Sequence, residues 1–357
     1  MNLVDLLREL VEIESPTGDA EGIAAVGARM ARELESLGGE IRFLDGGHLR
    51  ADFTGAGEPL LVLGHLDTVW ERGTLARLPF RVEDGRAYGP GSYDMKGGLV
   101  VILAAIREAA APRRALRVFL TADEEQGSRT GRPLIEQAAR GAAAALVAEP
   151  TLPGGGLKTA RKGLGRFRLT VKGQAAHAGT SPAEGASAIE ELAHQILRLH
   201  ELADEERGIS VNVGVIRGGT RENVVAESAE AEIDVRLAHA ADLAELERVL
   251  RSLRTVLAKT TLELSGGWTR PPLERSPGSA LLFAKAREYG LELGLDLQEG
   301  SSGGGSDGNL VGALGIPVLD GLGPEGAGAH SVHEHVVVDS LPVRARLLAL
   351  LLQDPGL

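Results

Sequence analysis

Cysteine is absent from the 357 residues. No disulfide can staple this chain and no thiolate can act as nucleophile, so a metal site would have to use histidine and carboxylates. Aromatic residues make up only 3%, which leaves Leu, Val, Ile and Ala to fill the core. Basic residues are in the minority, 38 Lys and Arg against 50 Asp and Glu, for a net charge of −12. That balance argues against a nucleic-acid surface. No apolar run approaches the roughly 18–20 residues of a membrane span. The first ten residues are amphipathic and charged, unlike a basic start followed by an apolar stretch. A cytoplasmic protein without nucleic-acid or membrane partners is expected. The remainder, 43% hydrophobic and 25% charged, is ordinary for a globular enzyme long enough for two domains.

The pattern predicts helices over 2–13 and 20–37, then short strands near 40–44, 48–54 and 59–64. The apolar run Leu60-Leu61-Val62-Leu63 suits a buried parallel strand and stops at Gly64, so His65 and Asp67 fall just past a strand end. A Gly-rich loop, 88–98, delivers Asp94 and opens an apolar helix from Leu99 to about Ala110. It lacks the GxxxxGK[ST] spacing of a phosphate cradle. A strand over 115–121 runs into Asp123-Glu124-Glu125, and another over 143–147 ends at Glu149. From about 166 the residues alternate polar and apolar. Strands at 166–172, 209–217, 227–236 and 260–266, with helices at 184–202 and 240–257, give β-α-β-β-α-β, the ferredoxin-like order. The expected domains are 1–165, an insertion over 166–274, and a return to the first over 275–357, with a helix at 278–290 and a core strand at 316–320. The fold class is α/β: a mixed, mostly parallel sheet with flanking helices, plus the inserted α+β domain. The run 300–309 could be a flexible linker; inside a sheet domain an ordered loop facing a ligand with bare N–H groups is preferred.

Collected at one sheet edge, His65, Asp94, Glu125, Glu149 and His330 are two imidazoles and three carboxylates. Two ions about 3.5–4 Å apart, sharing one carboxylate, would use the set fully. The mixture suits zinc, with cobalt or manganese as substitutes. Glu124 is surplus to coordination and could take a proton from an activated water and pass it to a leaving nitrogen. Asp67 could fix the His65 tautomer. His194, His200, His239, His333 and His335 read as solvated residues.

The stretches GHLDTVW (64–70), YGPGSYDMKGG (88–98), TADEEQGS (121–128), AEPT (148–151) and GAHSVHE (328–334) resemble the co-catalytic zinc exopeptidase family. That family includes glutamate carboxypeptidases, aminoacylases, acetylornithine deacetylases and succinyl-diaminopimelate desuccinylases. The resemblance covers nearly the whole chain and is strongest toward glutamate carboxypeptidase, through residues 67–91 and GGGSDGN (303–309). It implies one zinc on His65, Asp94 and Glu149, and a second on Asp94, Glu125 and His330. It also implies Asp67 as orienter of His65 and Glu124 as general base. His177 matches a histidine that reaches the partner subunit's active site, so a homodimer and a dimerisation or lid role for the insertion are implied. Asn223 and Arg236 match residues that grip a substrate's carbonyl and α-carboxylate, and Arg270 one that assists side-chain recognition; the plain alternative for Arg236 is a surface ion pair with Asp234 or Glu232. Residues 157–163 depart from the family's basic side-chain site.

The reading is therefore a two-zinc carboxypeptidase acting on a small peptide or N-acyl amino acid. An N-acyl-amino-acid deacylase is the alternative. A non-catalytic binding protein on the same fold would be expected to have lost Glu124 or a ligand.

Overall fold

In a computed structural model of the chain, which describes residues 2–109, 114–354 and 356, the run 60–63 lies within a strand, Ala56–His65. It sits inside a six-stranded sheet in the order Glu40–Leu44, His48–Phe53, Arg114–Thr121, Ala56–His65, Ala144–Val147, Val318–Leu319. The three pairings at the Val318–Leu319 end are parallel and the two at the other end antiparallel. Residues 60–65 are all buried, as strands covered on both faces require. The expected mixed, mostly parallel architecture is what the chain adopts.

Helices Leu3–Glu12 and Ala20–Ser36 begin at Asn2 and Asp19, whose side chains accept N–H groups of the first turn. The apolar helix Gly97–Ala109 is buried along most of its length and packs against the C-terminal helix Ser340–Gln353. Its sequence-read end near Ala110 falls outside the described residues. At its start, a β-carbon on Gly98 would run into the Ala148 carbonyl oxygen. Glycine there lets the helix approach the chain just ahead of Glu149. A small sheet not expected from sequence pairs Gly326–Ala327, His335–Val337, Arg86–Tyr88 and Arg81–Glu83. It ties the late histidine segment to the strand that enters the Gly-rich loop.

The chain divides into two compact units, Met1–Ala160 with Arg275–Ser302 and Ser306–Leu357, and Arg161–Glu274 with Gly303–Gly305. The second unit holds a four-stranded antiparallel sheet in the order Ser210–Gly218, Ser228–Leu237, Gly163–Lys172, Thr261–Arg270. With helices Ala188–His200 and Leu243–Arg251 it forms the split β-α-β arrangement. The helix read over 240–257 stops at Arg251 instead. The fully buried Glu191 carboxylate accepts the N–H groups of Val256 and Leu257 and the Thr260 hydroxyl, at 2.7–3.1 Å, and so holds that stretch out of the helix. Among the described residues no helix is long and apolar enough to cross a membrane.

Candidate metal centre

Three parallel neighbours, Arg114–Thr121, Ala56–His65 and Ala144–Val147, end on the same edge of the sheet. Side chains just past their ends must therefore converge. His65 closes its strand, Glu124 and Glu125 sit in the one-turn helix that follows Thr121, and Glu149 lies two residues past Val147. Asp94 comes from the turn Ser92–Lys96 that opens the buried helix. His330 is delivered by the segment between the two small-sheet strands, with a left-handed φ of 63°. That conformation is uncommon for a residue with a side chain, and Asp84, Ser128 and Lys259 are the other described non-glycine residues with positive φ.

Asp94 is the shared element. Its Oδ1 stands 3.2 Å from His65 Nε2, and its Oδ2 stands 3.3 Å from His330 Nε2. Glu149 Oε1 is 3.7 Å from His65 Nε2, and Glu125 Oε2 is 3.3 Å from His330 Nε2. Two triads result, His65–Asp94–Glu149 and Asp94–Glu125–His330, each offering ligand atoms within 4.8 Å of one another. All five sequence-chosen ligands are thus brought together. His65 Nδ1 lies 2.8 Å from the Asp67 main-chain oxygen. Donating there puts the proton on Nδ1 and leaves Nε2 as a lone pair aimed at the carboxylates.

The electrostatics call for positive charge. Burial pushes the Glu125 carboxyl up, and its Oε1 is buried without a hydrogen-bond partner. Burial likewise opposes charge on Asp94, but the His330 and His65 imidazoles hold its carboxyl well below the usual range. Hydrogen bonds to Asp94 and Glu125 in turn raise His330 to about 10. Burial opposes a charge on His65, yet Asp67 and Asp94 hold its pKa well above the ordinary value. Both histidine shifts run toward positive charge at this point, which divalent ions would supply instead. An orphaned buried carboxylate oxygen and a cysteine-free set of imidazoles and carboxylates fit two hard-to-borderline divalent ions such as zinc, cobalt or manganese.

A family model, Peptidase family M20/M25/M40, matches residues 61–354. The chain belongs to this family. Carboxypeptidase G2 of Pseudomonas sp. (strain RS-16) is 33% identical over 370 residues, covering 99% of this chain and 89% of the relative. A succinyl-diaminopimelate desuccinylase of Delftia acidovorans is 29% identical over 384 residues, covering 96% and 95%. Among solved structures, an M20 family metallo-carboxypeptidase from Sulfolobus solfataricus superposes with a TM-score of 0.79 at 18% identity, covering 99% of each chain. The protein is a hydrolase of the metallopeptidase type, and the matched span contains all five residues of the two triads.

Within this M20 chain the outer carboxylates do more than the sequence reading gave them. Asp67 accepts the backbone N–H groups of Glu124 and Glu125, at 3.1 and 3.2 Å, and the Thr17 hydroxyl at 2.7 Å. Its Oδ1 is 3.4 Å from His65 Nδ1. It therefore fixes the acidic turn as well as the imidazole. Asp307, inside the glycine run, accepts the Thr121 hydroxyl at 2.6 Å and the Ser128 hydroxyl, pinning both ends of that turn. Ser306 caps the short helix Asp307–Gly312. Neither Asp307 nor Glu334 was picked out from sequence. The apolar spacing around them gave no signal, because each contacts partners far away along the chain. Burial pushes the Glu334 carboxyl up to about 6 against hydrogen bonds that favour its charged form.

The four other selected residues lie in the second unit. His177 and Val224 form a bridge, and the Asn223 carbonyl accepts the Ala178 N–H at 3.0 Å, so His177 and Asn223 share one exposed patch. Gly179 and Thr180 donate to His177 Nδ1, both at 3.1 Å, which leaves the ring proton on Nε2. Arg236 and Arg270 both pair with Leu164, from opposite sides of its strand. Arg236 grips Asp234 bidentately, at 2.8 and 3.1 Å, and donates to the Gly303 carbonyl at 2.7 Å. Arg270 is buried. Of the histidines read as solvated, His194 and His335 are half-buried, the His335 ring centroid 5.1 Å from that of Tyr88.

Asp307→Ala should lower the urea midpoint by an amount equivalent to about 1–3 kcal/mol, because the Ser128 hydroxyl is left buried without this acceptor. The slope of the transition should not change. An unaltered midpoint would mean the clamp on the acidic turn is energetically idle.

Proposed function

We propose that this chain is a two-zinc carboxypeptidase, releasing a C-terminal amino acid from a small peptide or N-acyl amino acid. The single observation that carries the reading is Asp94 offering one oxygen to each of two His–carboxylate pairs, with Glu124 next in sequence to one of the carboxylates. His65, Asp94 and Glu149 would hold one ion, and Asp94, Glu125 and His330 the other. When bound, the ions would polarise the scissile carbonyl and acidify a water. Glu124, half-buried and close enough to support charge on His65, takes the water's proton as it attacks. It then returns that proton to the departing nitrogen.

The substrate's other groups would be held by the second unit. His177, with its proton on Nε2, would donate to the developing oxyanion, supplied from the partner chain of a homodimer. Asn223 would donate to the carbonyl, and Arg270 would assist the side chain. Arg236 would take the α-carboxylate in place of Asp234, since a planar guanidinium fork matches either carboxylate. A cytoplasmic location goes with this reading. The 33% identical carboxypeptidase G2 supports peptide or acyl-amino-acid cleavage. The 29% identical desuccinylase keeps an N-acyl-amino-acid deacylase as the alternative.

Glu124→Gln is expected to retain its metal while turnover falls about 10²–10⁴-fold, the usual cost of removing general acid–base catalysis. Metal lost along with activity would move Glu124 into the coordination set. A second test compares free-acid peptides with their C-terminal amides. Losing the Arg236–carboxylate pair should lower kcat/KM roughly thirtyfold to several-thousandfold, as 2–5 kcal/mol implies. Equal kcat/KM for acid and amide would exclude carboxypeptidase action. Preference for N-succinyl or N-acetyl amino acids over peptides would favour the deacylase.

A further inference from the structure

Glu334 is a buried carboxylate, 3% exposed, four residues beyond His330. Its two oxygens accept four N–H groups from two other segments. Oε2 takes the Trp70 indole N–H at 2.7 Å and the Gly91 backbone N–H at 3.0 Å. Oε1 takes the backbone N–H groups of Tyr93 at 2.9 Å and Asp94 at 3.0 Å. Gly91 adopts a left-handed φ of 70°, which helps turn successive N–H groups toward one anion. The Glu334 main-chain oxygen also accepts the Gly89 N–H, at 3.4 Å.

These contacts join three stretches that each carry a ligand. Trp70 follows His65 by five residues, the 91–94 turn ends in Asp94, and Glu334 itself follows His330. The bond to the Asp94 N–H bears on the one residue whose carboxylate is common to both triads. A plug that merely filled a glycine loop would need neither a charge nor a contact to that residue. We infer that Glu334 is a positioning residue of the metal centre: through the Asp94 main chain it sets where the shared carboxylate stands, so both cation positions depend on it together. This rests on the two-ion reading above.

Glutamine is not an innocent replacement here. It presents an NH₂ group to two N–H donors, so two buried donors lose their acceptor. Partners that orient metal ligands typically change metal affinity by 10–100-fold when altered. Zinc titration of the metal-stripped chain should therefore show two equivalents in the parent. In Glu334→Gln, both should weaken together by about 10–100-fold, whereas Glu149→Gln should weaken chiefly one. Leu352→Ala, a truncation in the buried face of the C-terminal helix, provides a destabilised control whose zinc affinity should stay at the parental level. Trp70→Phe keeps an aromatic side chain, though a smaller one, and removes one donor, so it serves if Glu334→Gln does not fold. Its zinc affinity should fall about tenfold, the lower end of the same range. Parental affinity in Glu334→Gln, or in Trp70→Phe, or a loss no larger than that of Leu352→Ala, would overturn the positioning role alone. A parent that takes up fewer than two equivalents would overturn the two-ion reading and this inference with it.

Discussion

Three carboxylates packed with two imidazoles lose hydration, and the carboxylates repel one another unless something positive is shared among them. Asp94, Glu125 and Glu149 all stand in this cluster, and their field favours positive charge on His65 and His330. A set of this kind cannot position itself, because desolvation and like-charge repulsion oppose it. The surrounding fold supplies the restraint. Two further acids, Asp67 and Glu334, accept main-chain N–H groups of the ligand-bearing turns, and Asp307 accepts two hydroxyls at the ends of one of them. Burying such acids is tolerable because each has several donors, which favour the charged form.

The parallel strands explain why this arrangement is reachable from one chain. Their common edge delivers His65, the acidic turn and Glu149 without long connections. The small sheet brings the His330 segment against Arg86–Tyr88, and so toward Asp94. Family membership adds the chemistry: M20 relatives include peptidases and deacylases, and this chain brings together two groups of side chains that could each hold a metal ion.

Much of this was legible in the sequence for a definite reason. Ligands that follow short apolar runs announce both the strand and the edge, so His65, Glu125 and Glu149 could be read directly. Residues acting across the fold could not. Glu334 sits between two histidines in what resembles a polar turn, and only the folded chain shows it buried beneath Asp94. Asp307 was hidden within a glycine run that suggested a ligand-facing loop. The helix read to 257 ended six residues early because Glu191 captured the later N–H groups, a tertiary contact that propensity does not contain. Arg236 pairs with Asp234, the surface ion pair that stood as the alternative to a substrate carboxylate.

The central claim is that Asp94 joins two metal ions. Diffraction from zinc-loaded crystals, collected on both sides of the zinc absorption edge, tests it most directly. Two anomalous peaks about 3.5–4 Å apart are expected, one beside His65 and Glu149 and one beside His330 and Glu125, with an Asp94 oxygen about 2.0–2.2 Å from each. A single peak, or two peaks that Asp94 does not bridge, would contradict the account.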